Sequence, residues 1–349
     1  MSPEVFVLSL AALFAALFAW GFRVLPNEGW QIIAAVPVSR DADGGWKGLN
    51  LTYYGFFNAT ACAFSVAIIL LLMSAIGVAL LSTLIIVGVL LAFSVPAAKF
   101  VARAVEGKRY TFTVGGASFV GALVLPCAIY FINIFLRKSE TEIPALPLFA
   151  AAGIAYAFGE GLGRLACISF GCCYGKPLRE SHPLLQRIFS RHCFVFTGNT
   201  KKVAYEGALV GSPVVPIQAV TAIVHAAAAL AGTYFFFKSN WGTAFIVPVF
   251  VTQGWRVASE FFRADYRGGG RISAYQFMAA MSLIYSAAVV VFTPVPQVRE
   301  PDVLAGMSSL ASGWLVLLLQ MLWVTIFLYT GRSMVTTARL SFHVVRQRT

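Results

Sequence analysis

The amino-acid sequence predicts an all-α polytopic membrane protein, and three observations carry that prediction. Hydrophobic residues make up 59% of the 349 residues and charged residues only 11%, where a soluble domain carries about 25% charged. The mean hydropathy is +0.79. The apolar residues also gather in stretches long enough to cross a bilayer as helices, about 17–25 residues each. A cytosolic enzyme, a disordered chain and a secreted disulfide scaffold are excluded, because none can expose so little charge.

Nine stretches read as spans: 5–24, 52–73, 78–98, 113–136, 144–166, 216–237, 241–262, 272–294 and 303–330. Only a short turn near Ile76-Gly77 separates the second from the third. The first reads as a retained helix rather than a signal peptide. Met1-Ser2-Pro3-Glu4 holds no basic residue, and Arg23 sits at the far end. The interruption at 167–214 contains Gly171, Gly175, Pro177, Pro183, Gly198, Gly207 and Pro213 with many charges. It is too polar to span and too long for a turn, so a small cap at the membrane surface is expected.

The formal charge is +12, from 26 Lys+Arg against 14 Asp+Glu. On a chain this apolar the natural partner is an anionic lipid headgroup, not nucleic acid. A charge inside a bilayer costs roughly 2.5–3.5 kcal/mol even on the mildest scale and usually marks a working cavity. Arg164 closes the fifth stretch, while Arg256 and Glu260 lie four apart in the seventh and would share a helix face. One reading is a structural ion pair between Arg256 and Glu260. The other is a phosphate pocket, with two arginines from different helices forming a fork on a phosphodiester and Glu260 orienting one of them. Gly159, Gly161 and Gly163 precede Arg164, and Gly115, Gly116 and Gly121 open the fourth stretch. These suit close helix packing or backbone access to a ligand.

The six cysteines show neither a disulfide framework nor a zinc spacing, and Cys167, Cys172 and Cys173 lack a C-x-x-C pattern. Small residues in a tight turn are the expectation there. His225, on an Ala-rich stretch, reads as a satisfied polar core residue.

Several motifs together resemble the prolipoprotein diacylglyceryl transferase family. Gly163-Arg164, with Gly175 eleven residues after the arginine, resembles its signature. Tyr53-Tyr54-Gly55 resembles its Trp-Tyr-Gly, and Gly115-Gly116-Ala117-Ser118-Phe119-Val120-Gly121 its glycine-rich run. Pro216-Ile217-Gln218, then Arg256, Glu260-Phe261-Phe262-Arg263, Ser273 and Gln276, follow in the family's order. The resemblance spans roughly 52–294. It implies a seven-helix transferase-like core with one extra helix at each end, in 1–51 and 295–349. Four family positions are changed. The family's His, a proposed proton acceptor, falls on Val120, its signature Asn on Cys167 and Glu on Cys172, and a helix Tyr on Thr252.

The resemblance implies an enzyme of the bacterial cytoplasmic membrane. It would move a diacylglyceryl group from phosphatidylglycerol, or another anionic phospholipid, to the lipobox cysteine of a lipoprotein precursor. Arg164, Arg256, Glu260 and Tyr54 are its implied catalytic residues. Gly163, Gly175, Gly115, Gly116, Cys167, Gln218 and Arg263 would bind substrate. Neither a metal nor an organic cofactor is implied. A lipid-group transferase with another acceptor, or a non-catalytic anionic-lipid binder or transporter, would keep the same arginines.

Nine spans put the loops 25–51, 99–112, 167–215 and 263–271 and the C-terminal tail on one face. Beyond Arg164 and Arg256, that face takes every Lys and Arg except Arg137, Lys138, Lys238 and Arg299. The positive-inside rule places this face in the cytoplasm; the resemblance places it outside. Labelling a cysteine introduced at Ser181 would separate the two.

Overall fold

Runs of Leu, Ile, Val, Phe and Ala can cross a bilayer only by closing every backbone hydrogen bond within the segment, as helices do. The computed structural model describes residues 1–107, 113–135, 142–266, 272–338, 344 and 346–348. Its helices are α1 (Pro3–Val24), α2 (Tyr53–Ala75), α3 (Leu80–Glu106), α4 (Val114–Phe135), α5 (Ala145–Phe170), α6 (Pro183–Phe189), α7 (Lys202–Tyr205), α8 (Ile217–Phe237), α9 (Trp241–Ser259), α10 (Ala274–Phe292), α11 (Val303–Leu310) and α12 (Gly313–Thr330). The strands are β1 (Ile32–Arg40), β2 (Trp46–Thr52), β3 (Phe194–Val195), β4 (Pro213–Val214) and β5 (Arg332–Ala338). Eight of the helices are long and apolar enough to cross a membrane. The chain is a multi-pass α-helical membrane protein. The ninth expected span, α9, falls short on composition because it carries Thr252, Gln253, Arg256 and Ser259. All four are buried, and α9 packs between α5, α8 and α10.

α5 is the pillar of the bundle. It touches α1, α2, α4, α8 and α9, and small residues let them approach. A Cβ on Gly159 would strike the Ser65 hydroxyl, and one on Gly161 would sit 3.1 Å from the Ala222 carbonyl oxygen. Ser65 donates to the Ala155 carbonyl at 2.9 Å, which ties α2 to α5 where lipid offers no alternative partner.

Two expectations are corrected. The stretch 303–330 is not one helix. It breaks at Ala311-Ser312, where Ser308, Ser309 and Ser312 hydroxyls bond back to carbonyls one turn earlier, which competes with helix continuation. α11 then packs Gly306 onto the backbone of Leu71 in α2. α12 follows α2 back across the bundle, with Trp323 Nε1 donating to Thr60 Oγ1 at 3.0 Å. The segment after α1 is also no plain loop. β1 and β2 form a hairpin whose turn closes through Asp41 and Gly44 (φ 81°), and β2 pairs antiparallel with β5. The continuous, β-branched apolar run of 32–38, followed by the Asp-Gly pair at 43–44, is the signal for it.

The loops gather at the two ends of the bundle. The sheet joins 25–51 to the C-terminal tail, Gly175 pairs with Arg263, and Tyr275 donates to Glu106 at 2.8 Å. At the other end Lys238 meets Glu4 at 2.8 Å. Of the basic residues assigned to the two faces, Lys108, Arg109, Arg137, Lys138, Arg267, Arg271 and Arg339 lie outside the described residues. The cap holds α6, α7 and the β3–β4 pair. It is anchored by Lys201, fully buried, whose Nζ donates to Leu25 O at 3.1 Å and Ser169 O at 2.6 Å. One ammonium thus joins the ends of α1 and α5 to the cap.

Two predictions follow from this end of the molecule. Burial lowers the Lys201 pKa from 10.5 to about 8, with Glu28 opposing. Between those values the unfolded chain binds more protons than the folded one, so stability rises with pH through that window. Thermal unfolding in detergent should show this rise, worth at most about 3 kcal/mol, and Lys201→Met should abolish it. For topology, Ser181 is buried and unsuited to labelling, whereas Ser190 in the cap is exposed. On the positive-inside rule, Ser190→Cys is protected from an impermeant maleimide in intact cells and reacts after permeabilisation. Labelling of intact cells places the cap outside.

Candidate active site

The polar pocket forms where α5, α8 and α9 meet beneath the cap. Arg164, Cys173, Gln218, His225, Arg256 and Arg263 line it, with Glu260, Thr221 and Trp255. Arg164 lies in the last turns of α5 and Arg256 in the last turn of α9, so the two guanidiniums come from different helices. The carboxylate that joins them is Glu160, one turn before Arg164 on α5. Its Oε1 accepts from Arg164 Nη2 and from Arg256 Nη2 at 3.2 Å. Arg256 Nη2 also donates to the Tyr156 hydroxyl at 3.0 Å, to which Gln253 donates at 3.3 Å. Glu160 and Tyr156 were not singled out from sequence. The i, i+4 spacing of Glu160 and Arg164 was the available signal.

One carboxylate between two guanidiniums leaves the trio with a net positive charge inside the bundle. Arg164 Nε, Arg256 Nε, Glu160 Oε2, Gln218 Oε1 and His225 Nε2 are buried and make no hydrogen bond among the described residues. Buried donors without partners cost about 1–3 kcal/mol each. Two guanidinium N–H groups in one such pocket suit an anion with several acceptor oxygens, such as a phosphate.

The other expected residues fall around this centre. Glu260 follows α9 in a 3₁₀ turn and lies 3.9 Å from Arg263. Arg263 is held by Asp265 in a bidentate pair, at 2.8 and 2.6 Å. Gln218 Nε2 donates to the Cys172 carbonyl at 2.9 Å. Tyr54 packs on Phe170, ring centroids 5.3 Å apart, at the cap end of α5. Gly115 faces the arginine itself, since a Cβ there would overlap Arg256 Nη1. Gly116 meets Val101 and Thr113 side chains, and Gly175 packs on the backbone of Val215. Gly163 has only ordinary contacts, with Ala61 Cβ at 3.9 Å.

His225 belongs to the pocket. Its Nδ1 lies 3.0 Å from the Thr221 carbonyl, which can only accept, so Nδ1 carries the proton and Nε2 is left as a bare acceptor. An Ala-rich helix gave no sign that this histidine would face Arg164 and Arg256.

Cys167, Cys172 and Cys173 converge, contrary to the reading from spacing. α5 ends in a Schellman motif around Gly171 (φ 70°), with Cys172 N bonding Cys167 O at 3.0 Å and Gly171 N bonding Ile168 O at 3.1 Å. That motif returns the residue after the glycine to the side chain five positions earlier, here one cysteine onto another. Cys173 takes φ 56°, rare for a residue with a Cβ, and lines the arginine pocket. The three sulfurs lie within 4.8 Å of one another.

An apolar cavity of about 290 Å³ adjoins the polar pocket, lined from α2, α3, α4, α5, α9 and α10. Tyr156 and Gln253 line it; Tyr156 accepts from Arg256, and Gln253 donates to Tyr156. Polar pocket and apolar cavity therefore share a wall.

Gly115→Ala and Gly163→Ala separate the roles of the glycines. The Gly115→Ala methyl can be accommodated by moving the flexible end of Arg256, so the fold survives while the guanidinium is displaced. A misplacement on the order of 1 Å costs about 100-fold in rate. Gly163→Ala should stay near wild type. Activity per folded protein, with gel filtration as the folding check, tests both.

No curated protein and no solved structure matches the chain. The family model described as prolipoprotein diacylglyceryl transferase matches residues 46–292, which covers every pocket residue from Arg164 to Arg263. On that match, and with the multi-pass helical fold that surrounds the pocket, the chain belongs to the prolipoprotein diacylglyceryl transferase family.

Proposed function

We propose that the protein transfers a diacylglyceryl group from phosphatidylglycerol to the cysteine thiol of a lipoprotein precursor, in the bacterial cytoplasmic membrane. The observation that carries this reading is the pair of largely buried guanidiniums, Arg164 and Arg256, bridged by Glu160, with Arg256 bonded to Tyr156 on the wall of an apolar cavity. An anionic phospholipid has the matching division, with a phosphate for the arginines and acyl chains for the cavity. The acceptor thiolate attacks the glyceryl carbon next to the phosphate ester. A carbon–sulfur bond forms, the carbon–oxygen bond breaks, and glycerol phosphate leaves with the bonding pair. Charge grows on the departing phosphate, and preorganised cations in a water-poor site stabilise that change more than they stabilise the resting lipid. Glu160 and Tyr156 hold the guanidiniums in place before the lipid arrives. Tyr54, Gln218 and Cys167 stand at the cap end, where a peptide from outside the bilayer would approach.

Purified protein with labelled phosphatidylglycerol and a Cys-bearing lipobox peptide tests the reaction, and thioether product is expected. Arg164→Ala and Arg256→Ala should each lower the rate about 100- to 1,000-fold while the protein remains in the membrane. Glu160→Gln keeps a hydrogen-bonding side chain and should lose less. Normal turnover in either arginine variant removes the phosphate assignment. Lipid binding without turnover in the wild type identifies a binder rather than a transferase.

A further inference from the structure

Nucleophilic attack by sulfur requires a thiolate. By the resemblance, the family's proposed proton acceptor falls on Val120, which cannot take a proton. The chain instead brings three thiols of its own to the edge of the arginine pocket. Their convergence comes from the backbone. The Schellman turn sets Cys172 over Cys167, and the left-handed Cys173 turns its side chain into the pocket. The turn is held from outside as well. Val203 N bonds Gly171 O at 2.9 Å, and Gln218 holds the Cys172 carbonyl.

We propose that Cys167, Cys172 and Cys173 form a three-thiolate site for a thiophilic divalent cation such as Zn²⁺, and that its fourth position takes the acceptor thiol. Three thiolate ligands around zinc, each about 2.3 Å from the metal, stand about 3.8 Å apart. The sulfurs are already within 4.8 Å of one another, so small rotations close the set. Zinc with three thiolates carries a net negative charge. Arg164 and Arg263, which line the same pocket as Cys173, offset it. A three-ligand zinc site leaves one position open, and a thiol that enters it is deprotonated by the metal. The acceptor's proton passes to the solvent buffer. Its sulfur then bonds the glyceryl carbon while the carbon–oxygen bond breaks and the phosphate departs against Arg164 and Arg256. The role assigned to the fourth position rests on the proposed transferase reaction; the three-thiolate site does not.

The full chain, purified in detergent and reduced, is loaded anaerobically with Zn²⁺, or with Co²⁺ as the spectroscopic probe. One equivalent of metal should survive gel filtration. Co²⁺ should show a sulfur-to-metal charge-transfer band, lost in Cys167→Ser, Cys172→Ser and Cys173→Ser and kept in Cys127→Ser. A lipobox peptide should shift the band, and the same peptide with serine for cysteine should not. Gel-filtration profiles show whether the serine variants fold. Failure of the reduced wild type to retain metal overturns the site, as does full metal retention by any folded triple Cys→Ser variant. A disulfide among these cysteines whose reduction restores no metal uptake also overturns it. An unchanged spectrum with peptide overturns the fourth-position role. Turnover by metal-free protein overturns the metal's part in the reaction and leaves the transferase reading standing, whereas the arginine variants test that reading separately.

Discussion

The shared carboxylate of Glu160 is the interaction on which the site depends. Two guanidiniums buried side by side repel strongly in a medium of low dielectric, and each has lost its water. Glu160 offsets one charge and gives both arginines a fixed acceptor. What remains is a single positive excess with guanidinium hydrogens unspent, placed among helices that exclude water. Such a centre is poorly suited to stabilising the fold and well suited to receiving an anion. α5 supplies Glu160 and Arg164, and α9 supplies Arg256, so the two helices must meet closely for the centre to exist.

That closeness is the work of small side chains. Gly159 and Gly161 admit α2 and α8 to the surface of α5, and Gly115 leaves room for the Arg256 guanidinium. In lipid there is little hydrophobic gain in bringing helices together, so contact depends on backbone approach and on hydrogen bonds such as Ser65 to Ala155. The arrangement also divides the interior in two. Tyr156 and Gln253 stand at the wall between a polar pocket and an apolar cavity, the two environments a phospholipid requires.

The cap completes the polar end. It is fastened by one buried ammonium, Lys201, bonded to the carbonyls of Leu25 and Ser169, and by backbone pairing of Gly175 with Arg263. The turn that leads into it is the Schellman motif of α5. This motif stops the helix, gathers three cysteines and sets Cys173 beside the arginines. Helix termination and site construction are here one event.

The sequence by itself determined the solvent, the positions of the eight long apolar spans, the polar cap and the residues able to carry charge into the bilayer. Hydropathy and segment length are additive properties of the chain, so they can be read without knowing what packs on what. Arg164, Arg256 and the motif glycines were legible for a related reason, since charge and missing side chains are conspicuous in an apolar run. The tertiary structure decided which carboxylate serves the arginines. Glu160 does so across two helices, while Glu260 stands in the 3₁₀ turn after α9, 3.9 Å from Arg263. It also decided that His225 faces the pocket, that 303–330 breaks in two and that Cys167, Cys172 and Cys173 meet. Each depends on helix rotation or on where a helix stops. Small energy differences set both, and they arise only once neighbouring elements are in contact.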